Sequence, residues 1–168
     1  MSDQPKYDVL KQDGSFELRR YQSFTMIEAS DRDLESYRGF RLAFDFIQGD
    51  NERGQKIAMT TPVVNQLSEK GIETTAFVMP PKMLHADVPN PRSASLQKVL
   101  VPQRICAVYR FSFSPKMSSI REFEISLRTW IEKEGYTIEG PLQLARYNPP
   151  FTPGFLKRNE LWFEVTKS

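Results

Sequence analysis

Two amphipathic stretches, set 83 positions apart, constrain this chain more than any other feature. Tyr37, Phe40, Phe44 and Ile47 recur at i, i+3, i+7 and i+10, which lays one apolar stripe along a helix. Ile120, Phe123, Leu127 and Trp130 repeat the spacing in the second half. A capping residue precedes each stretch in the same register, Asp31 in one case and Ser114 in the other. Asp33 and Glu35 fall in the first turn of the first helix, where the macrodipole favours negative charge. Gly49-Asp50-Asn51 and Gly135 supply the stops. The spacing predicts helices over 31–48 and 115–134, with Phe44 and Leu127 facing a core.

Strand patterns flank both helices. Gly14 breaks the chain, and Phe16-Glu17-Leu18-Arg19-Arg20-Tyr21 then alternates apolar and charged residues, as a half-buried strand does. Phe24 to Ala29, Ile57 to Gln66 and Thr74 to Met79 read as further strands. In the second half Ile105, Ala107, Tyr109, Phe111 and Phe113 alternate, and strands follow near Leu142 to Tyr147 and Glu160 to Val165. Between the halves, Pro80 to Pro91 holds four prolines and the sole histidine, His85. Proline lacks a backbone donor, so this stretch is a loop. The pattern predicts an α+β fold: a distorted antiparallel β-barrel of two pseudo-twofold-related β-α-β-β units, with two helices packed on the sheets. A cleft between sheet and helix is where such a fold holds a ligand.

Bulk properties narrow the function. At 168 residues the chain makes one domain, residues 1–168. Its 23 basic and 21 acidic residues lack the basic excess of nucleic-acid binders, so no nucleic acid is expected. Met1 to Lys6 contains no apolar run, and no stretch of about 18 apolar residues follows. A cytoplasmic protein with no membrane partner is expected; the oligomeric state stays open. Cys106 is the single cysteine, so no internal disulfide forms. One His and one Cys do not make a zinc site. His85 reads as a solvated loop residue and not as part of a triad. No Gly-rich phosphate loop and no nucleophile elbow is present. The 12 phenylalanines read first as core and second as the walls of a cleft for a flat ligand.

Three stretches point further. Lys56-Ile57-Ala58-Met59-Thr60-Thr61-Pro62-Val63 resembles the K-I-x-M-T-x-P-V segment of the SOUL haem-binding family. Arg146-Tyr147-Asn148-Pro149-Pro150-Phe151-Thr152-Pro153, followed by Arg158-Asn159-Glu160-Leu161-Trp162, resembles that family's Y-[DN]-P-P-x-x-P…R-N-E-[VIL]-W ending. Phe16 to Tyr21 is similar to its opening strand. The three occur in family order and cover about residues 7 to 166. Each also has a purely structural reading. Pro62 suits a strand start, Asn148-Pro149-Pro150 makes a rigid turn, and Asn159 and Glu160 satisfy backbone donors.

The resemblance implies a twofold-repeated α+β barrel and non-covalent binding of haem or a related tetrapyrrole. The family member that ligates iron through histidine carries it where this chain has Arg20, and arginine does not serve as a neutral iron ligand. Tyr37 and Asp45 stand near the first-helix positions where other members carry basic residues. The implied mode is therefore apolar contact, with basic residues at the propionates. Candidate contacts are Phe44, Met59, Phe151 and Phe155; candidate propionate partners are Arg38, Arg41, Lys157 and Arg158. No catalytic residue and no metal ligand is assigned. Two other functions compete: a small-molecule sensor or adaptor module like the effector-binding domains of transcription regulators, and a hydrolase using Glu160 and Tyr147 as acid and base.

Overall fold

The computed structural model describes residues 3–30 and 38–168. The expected cap at Asp31, the acidic turn at Asp33 and Glu35, and Tyr37 lie outside the described residues. The first half runs through strands β1 (Tyr7–Asp13), β2 (Phe16–Tyr21) and β3 (Phe24–Ser30), helix α1 (Arg38–Ile47), and strands β4 (Val63–Ser68) and β5 (Gly71–Val78). The second runs through β6 (Leu96–Val101), β7 (Arg104–Phe111), α2 (Met117–Lys133), β8 (Tyr136–Ile138), β9 (Gln143–Arg146) and β10 (Asn159–Lys167).

All pairings are antiparallel, and the sheet order is β1-β2-β7-β10-β9-β4-β5-β3-β6, with β8 beside β10. From β2 to β6 this order is a palindrome. Exchanging β2 with β6, β3 with β7, β4 with β9 and β5 with β10 leaves it unchanged, and a pseudo-twofold axis passes between β4 and β9. Each half contributes β-α-β-β and one leading strand, and that leading strand pairs with the other half: β2 with β7, β6 with β3.

This exchange explains the curl. Gln22 and Ser23 are the whole link between β2 and β3, yet five strands separate the two in the sheet order. Seven flat strands would put them roughly 29 Å apart at about 4.8 Å per step. Two extended residues bridge about 10 Å. Pro102 and Gln103 impose the same demand on β6 and β7. The sheet therefore rolls into a barrel-like form, while no ladder joins β1 to β6 to close it.

Both helices cover the outer face. Leu18, Ala107, Leu144, Leu161 and Phe163 pack under Ile120, Leu127, Trp130 and Ile131 of α2. Ile27, Ala29, Phe77 and Leu96 pack under Ala43, Phe46 and Ile47 of α1. The alternate residues Tyr21, Met26, Val64, Ala76, Cys106, Val108, Ala145 and Trp162 fill the rolled interior. Gly135 follows α2 at φ 81°, a left-handed stop that suits glycine.

Several expectations need correction. Phe40 and Phe44 are 36% and 42% exposed, so they are not the core face of α1. That face is Gly39, Ala43, Phe46 and Ile47. Its counterpart on α2 is Phe123, Leu127, Trp130 and Ile131, each 84 positions later. One residue of slip rotates a helix face by about 100°. Ser114 is not the cap of α2; Lys116 occupies that position without a side-chain cap bond. The strand expected from Ile57 begins only at Val63, after the cis Thr61–Pro62 bond. Phe113 lies beyond β7, 63% exposed. Strands β1, β6 and β8 add to the set expected from the sequence.

Candidate functional site

Strand β9 ends at Arg146, which pairs with Val63 at the start of β4 and with Asn159 at the start of β10. The loop 147–158 therefore leaves the sheet at the end where β4 begins. Met59 lies four residues before β4. Helix α1 carries the chain from the Ser30 end of β3 back towards that same end, where the Ile57 amide donates to the Ile47 carbonyl at 2.8 Å. Phe44, Met59 and the loop thus share one end of the molecule.

On α1, Phe40 stands edge-on to Phe77, with centroids 5.0 Å apart, and lies nearly parallel to Phe44 at 9°. Arg38 and Arg41 are exposed on the same helix. Met59 is 39% exposed. Phe151 and Phe155 are 87% and 69% exposed on the loop, and the Lys157 ammonium donates to Ser114 Oγ at 3.1 Å. Phe40, on the stripe expected to face the core, is instead exposed beside Phe44, and their i, i+4 spacing is the sequence signal for that pairing.

Arg158 differs from the other basic candidates because it turns inward. Its Nε donates to Glu160 Oε2 at 3.0 Å, and its guanidinium lies 3.9 Å from the centroid of the Tyr147 ring. Glu160 is the centre of a buried cluster. Its carboxylate accepts from Arg19 Nη1 and Nη2, both at 2.8 Å, from the Tyr147 hydroxyl at 2.7 Å and from Trp162 Nε1 at 3.0 Å. Arg19 also donates to Tyr21 and Glu17 and lies over the Tyr7 ring. Burial alone would raise the Glu160 pKa, but the guanidiniums and hydroxyl around it hold it at about 2. Burial pushes the Tyr147 and Tyr21 hydroxyls up. Strand alternation had put Arg19 among the charged, solvent-facing residues; no local signal marks its burial, because its partner lies 141 positions away.

Tyr147 and Arg158 are the two ends of the loop, so the cluster also ties its neck. The Tyr147 amide donates to the Arg158 carbonyl, and the Arg158 amide to Asn148 Oδ1. Asn148 and Glu160 of the sequence motif thus serve loop closure.

His85 is half-buried, with Nδ1 2.9 Å from Thr25 Oγ1, so it is not a simply solvated residue. A groove of about 550 Å³ lies elsewhere, between α2 and the β4–β5 turn. Its Arg121 and Arg128 both pair with Glu124, and Arg128 covers Phe163. None of the eight candidate ligand contacts lines it. No described helix is long and apolar enough to cross a membrane.

The residues suit a flat amphipathic group. A stacked phenylalanine pair and Met59 offer apolar surface, and Arg38 and Arg41 stand exposed on the same helix, with the charge a carboxylate needs. At Arg20, exposed on β2, there is no donor for iron.

Comparison with known proteins gives consistent relatives. The model of the SOUL heme-binding protein family matches residues 2–164. Heme-binding protein 2 of Mus musculus is 29% identical over 171 residues, covering 92% of this chain and 80% of that protein. Among solved structures, the EcmrR C-terminal domain aligns with a TM-score of 0.66 at 12% identity, covering 96% of this chain and 99% of that one. A hydrolase from Listeria innocua aligns at 0.62 with 11% identity, covering 94% of each chain. These two likenesses concern the fold alone.

Proposed function

The chain belongs to the SOUL heme-binding protein family, and from that membership we propose that it binds haem or a related tetrapyrrole without a covalent bond, as a carrier or buffer. Residues 1–168 act as one domain in this reading. The observation that carries it is the exposed Phe40–Phe44 pair on α1, at the end of the sheet shared with Met59 and loop 147–158. Large aromatics left in water on a helix face are surface waiting for a flat apolar partner. Phe44, Met59, Phe151 and Phe155 would contact the macrocycle. Arg38, Arg41 and Lys157 would face the propionates, and Arg158 would add to the local positive potential from its place on Glu160. The bound group would supply its own iron chemistry; the protein's part is to bind and shield it.

Catalysis is not part of this reading. Glu160 and Tyr147 do meet, at 2.7 Å, but the carboxylate is fully buried and already accepts five hydrogen bonds. A base that saturated has no lone pair positioned for a substrate proton.

A visible absorption titration with haemin, and one with protoporphyrin IX alongside, tests the proposal. Comparable saturation by both is expected, with Phe44→Ala weakening each. Absence of binding to either would overturn it in favour of a sensor of some other small molecule.

A further inference from the structure

We propose that the protein docks on an anionic lipid surface through the tip built from loop 147–158 and the segment that leads from β7 into α2. This goes beyond ligand binding and does not depend on it. The two segments abut. The Phe113 amide donates to the Gly154 carbonyl at 2.8 Å, and Asn159 Nδ2 donates to the Phe113 carbonyl at 2.6 Å. Phe113 holds φ 71°, left-handed backbone that is uncommon for an aromatic residue, and its ring lies against Gly154 so closely that a Cβ there would sit 2.9 Å from it. A 3-10 turn at Gly154–Leu156 and the Tyr147–Arg158 neck stiffen the rest.

The tip presents large apolar side chains to solvent: Phe113 at 63%, Phe151 at 87%, Phe155 at 69% and Leu156 at 60% exposed. Residues 110–121 and 144–158 contain no Asp or Glu, although the chain has 21. They do carry Lys116, three residues after Phe113, and Lys157, two residues after Phe155. Protruding aromatics set among basic residues are what an interfacial anchor uses: rings sit at the headgroup level, and lysines meet anionic headgroups. A second copy is disfavoured as the occupant, because two basic tips repel. A protein partner would need recesses matched to four separate protrusions, whereas a lipid interface takes them without shape matching. The expected lack of a membrane partner rested on the missing spanning segment, which does not bear on surface docking.

The test is flotation of the ligand-free full chain with vesicles of phosphatidylcholine alone, or with phosphatidylserine added. Binding is expected to the anionic vesicles, with little to the neutral ones, and it should weaken as salt rises. Phe151→Ala with Phe155→Ala, and separately Lys116→Glu with Lys157→Glu, should each reduce binding by about tenfold or more. Phe151, Phe155 and Lys116 are exposed and Lys157 is half-buried on the loop, outside the core, so circular dichroism of the variants should match the wild type. No binding to anionic vesicles, or wild-type binding by the Phe151→Ala, Phe155→Ala protein, overturns the proposal even if haemin affinity falls in that variant. Capture by a polyglutamate peptide without vesicle binding would overturn it in favour of an acidic protein partner.

Discussion

Arg19 of β2 meets Glu160 of β10 face to face in the rolled interior, Nη1 to Oε1 and Nη2 to Oε2 at 2.8 Å, with side chains 1% and 0% exposed. Strand β7 lies between their strands, so the pair reaches across the sheet. Breaking a buried pair from one side strands the other charge, at about 3–5 kcal/mol. The two sides are not equivalent. Arg19→Ala leaves Glu160 with Arg158, Tyr147 and Trp162, whereas Glu160→Ala leaves Arg19 with Glu17 and removes the acceptor of four side chains. Urea denaturation should show Glu160→Ala as the more destabilised. Equal, near-zero losses would contradict this.

Acid should unfold the protein through the same carboxylate. The Glu160 pKa falls from 4.5 to about 2 on folding, so the unfolded chain takes up the proton more readily. Its contribution is present above pH 4.5 and is lost as pH drops from there to about 2, a few kcal/mol in all. Melting temperature against pH should fall through that window. The slope should flatten in Glu160→Gln, which has no proton to gain.

The corrected phase of α1 has a direct stability test. Phe46 is 0% exposed, and Phe46→Ala should cost about 3–5 kcal/mol. Leu127→Ala, also at a fully buried site, should cost about 2–5 kcal/mol. Phe44→Ala should cost less than about 1 kcal/mol, since the residue is 42% exposed. Thermal melts in which Phe44→Ala matched Phe46→Ala would restore the original phase.

Haemin binding should not depend on the sole histidine. The proposed binding rests on apolar burial of the macrocycle and charge pairing at the propionates, so His85→Ala is expected to leave affinity and the Soret position nearly unchanged. Arg41→Glu should weaken binding, and more so at low salt, where screening is least. Loss of both affinity and an imidazole-type spectrum in His85→Ala would make that residue the axial ligand.

Local chemistry by itself determined much of the fold. Gly14 and Gly135 mark real turns, at φ 59° and 81°, because only glycine takes that backbone without strain. The α2 stripe of Ile120, Leu127 and Trp130 is buried as its period requires. The family motifs lie in contiguous segments, so they are legible without coordinates. Tertiary structure decided the rest, wherever the governing partner is distant in sequence. On α1 the bulky Phe40 and Phe44 make the more obvious stripe, but the face buried against the sheet is Gly39, Ala43, Phe46 and Ile47. Strand β1 is a polar edge whose reason to extend is its ladder to β2. Arg19 reads as a surface charge until the roll of the sheet brings Glu160 to it. A charge is buried or exposed according to whether partners offset its desolvation, and here the rolled sheet brings Glu160 to Arg19.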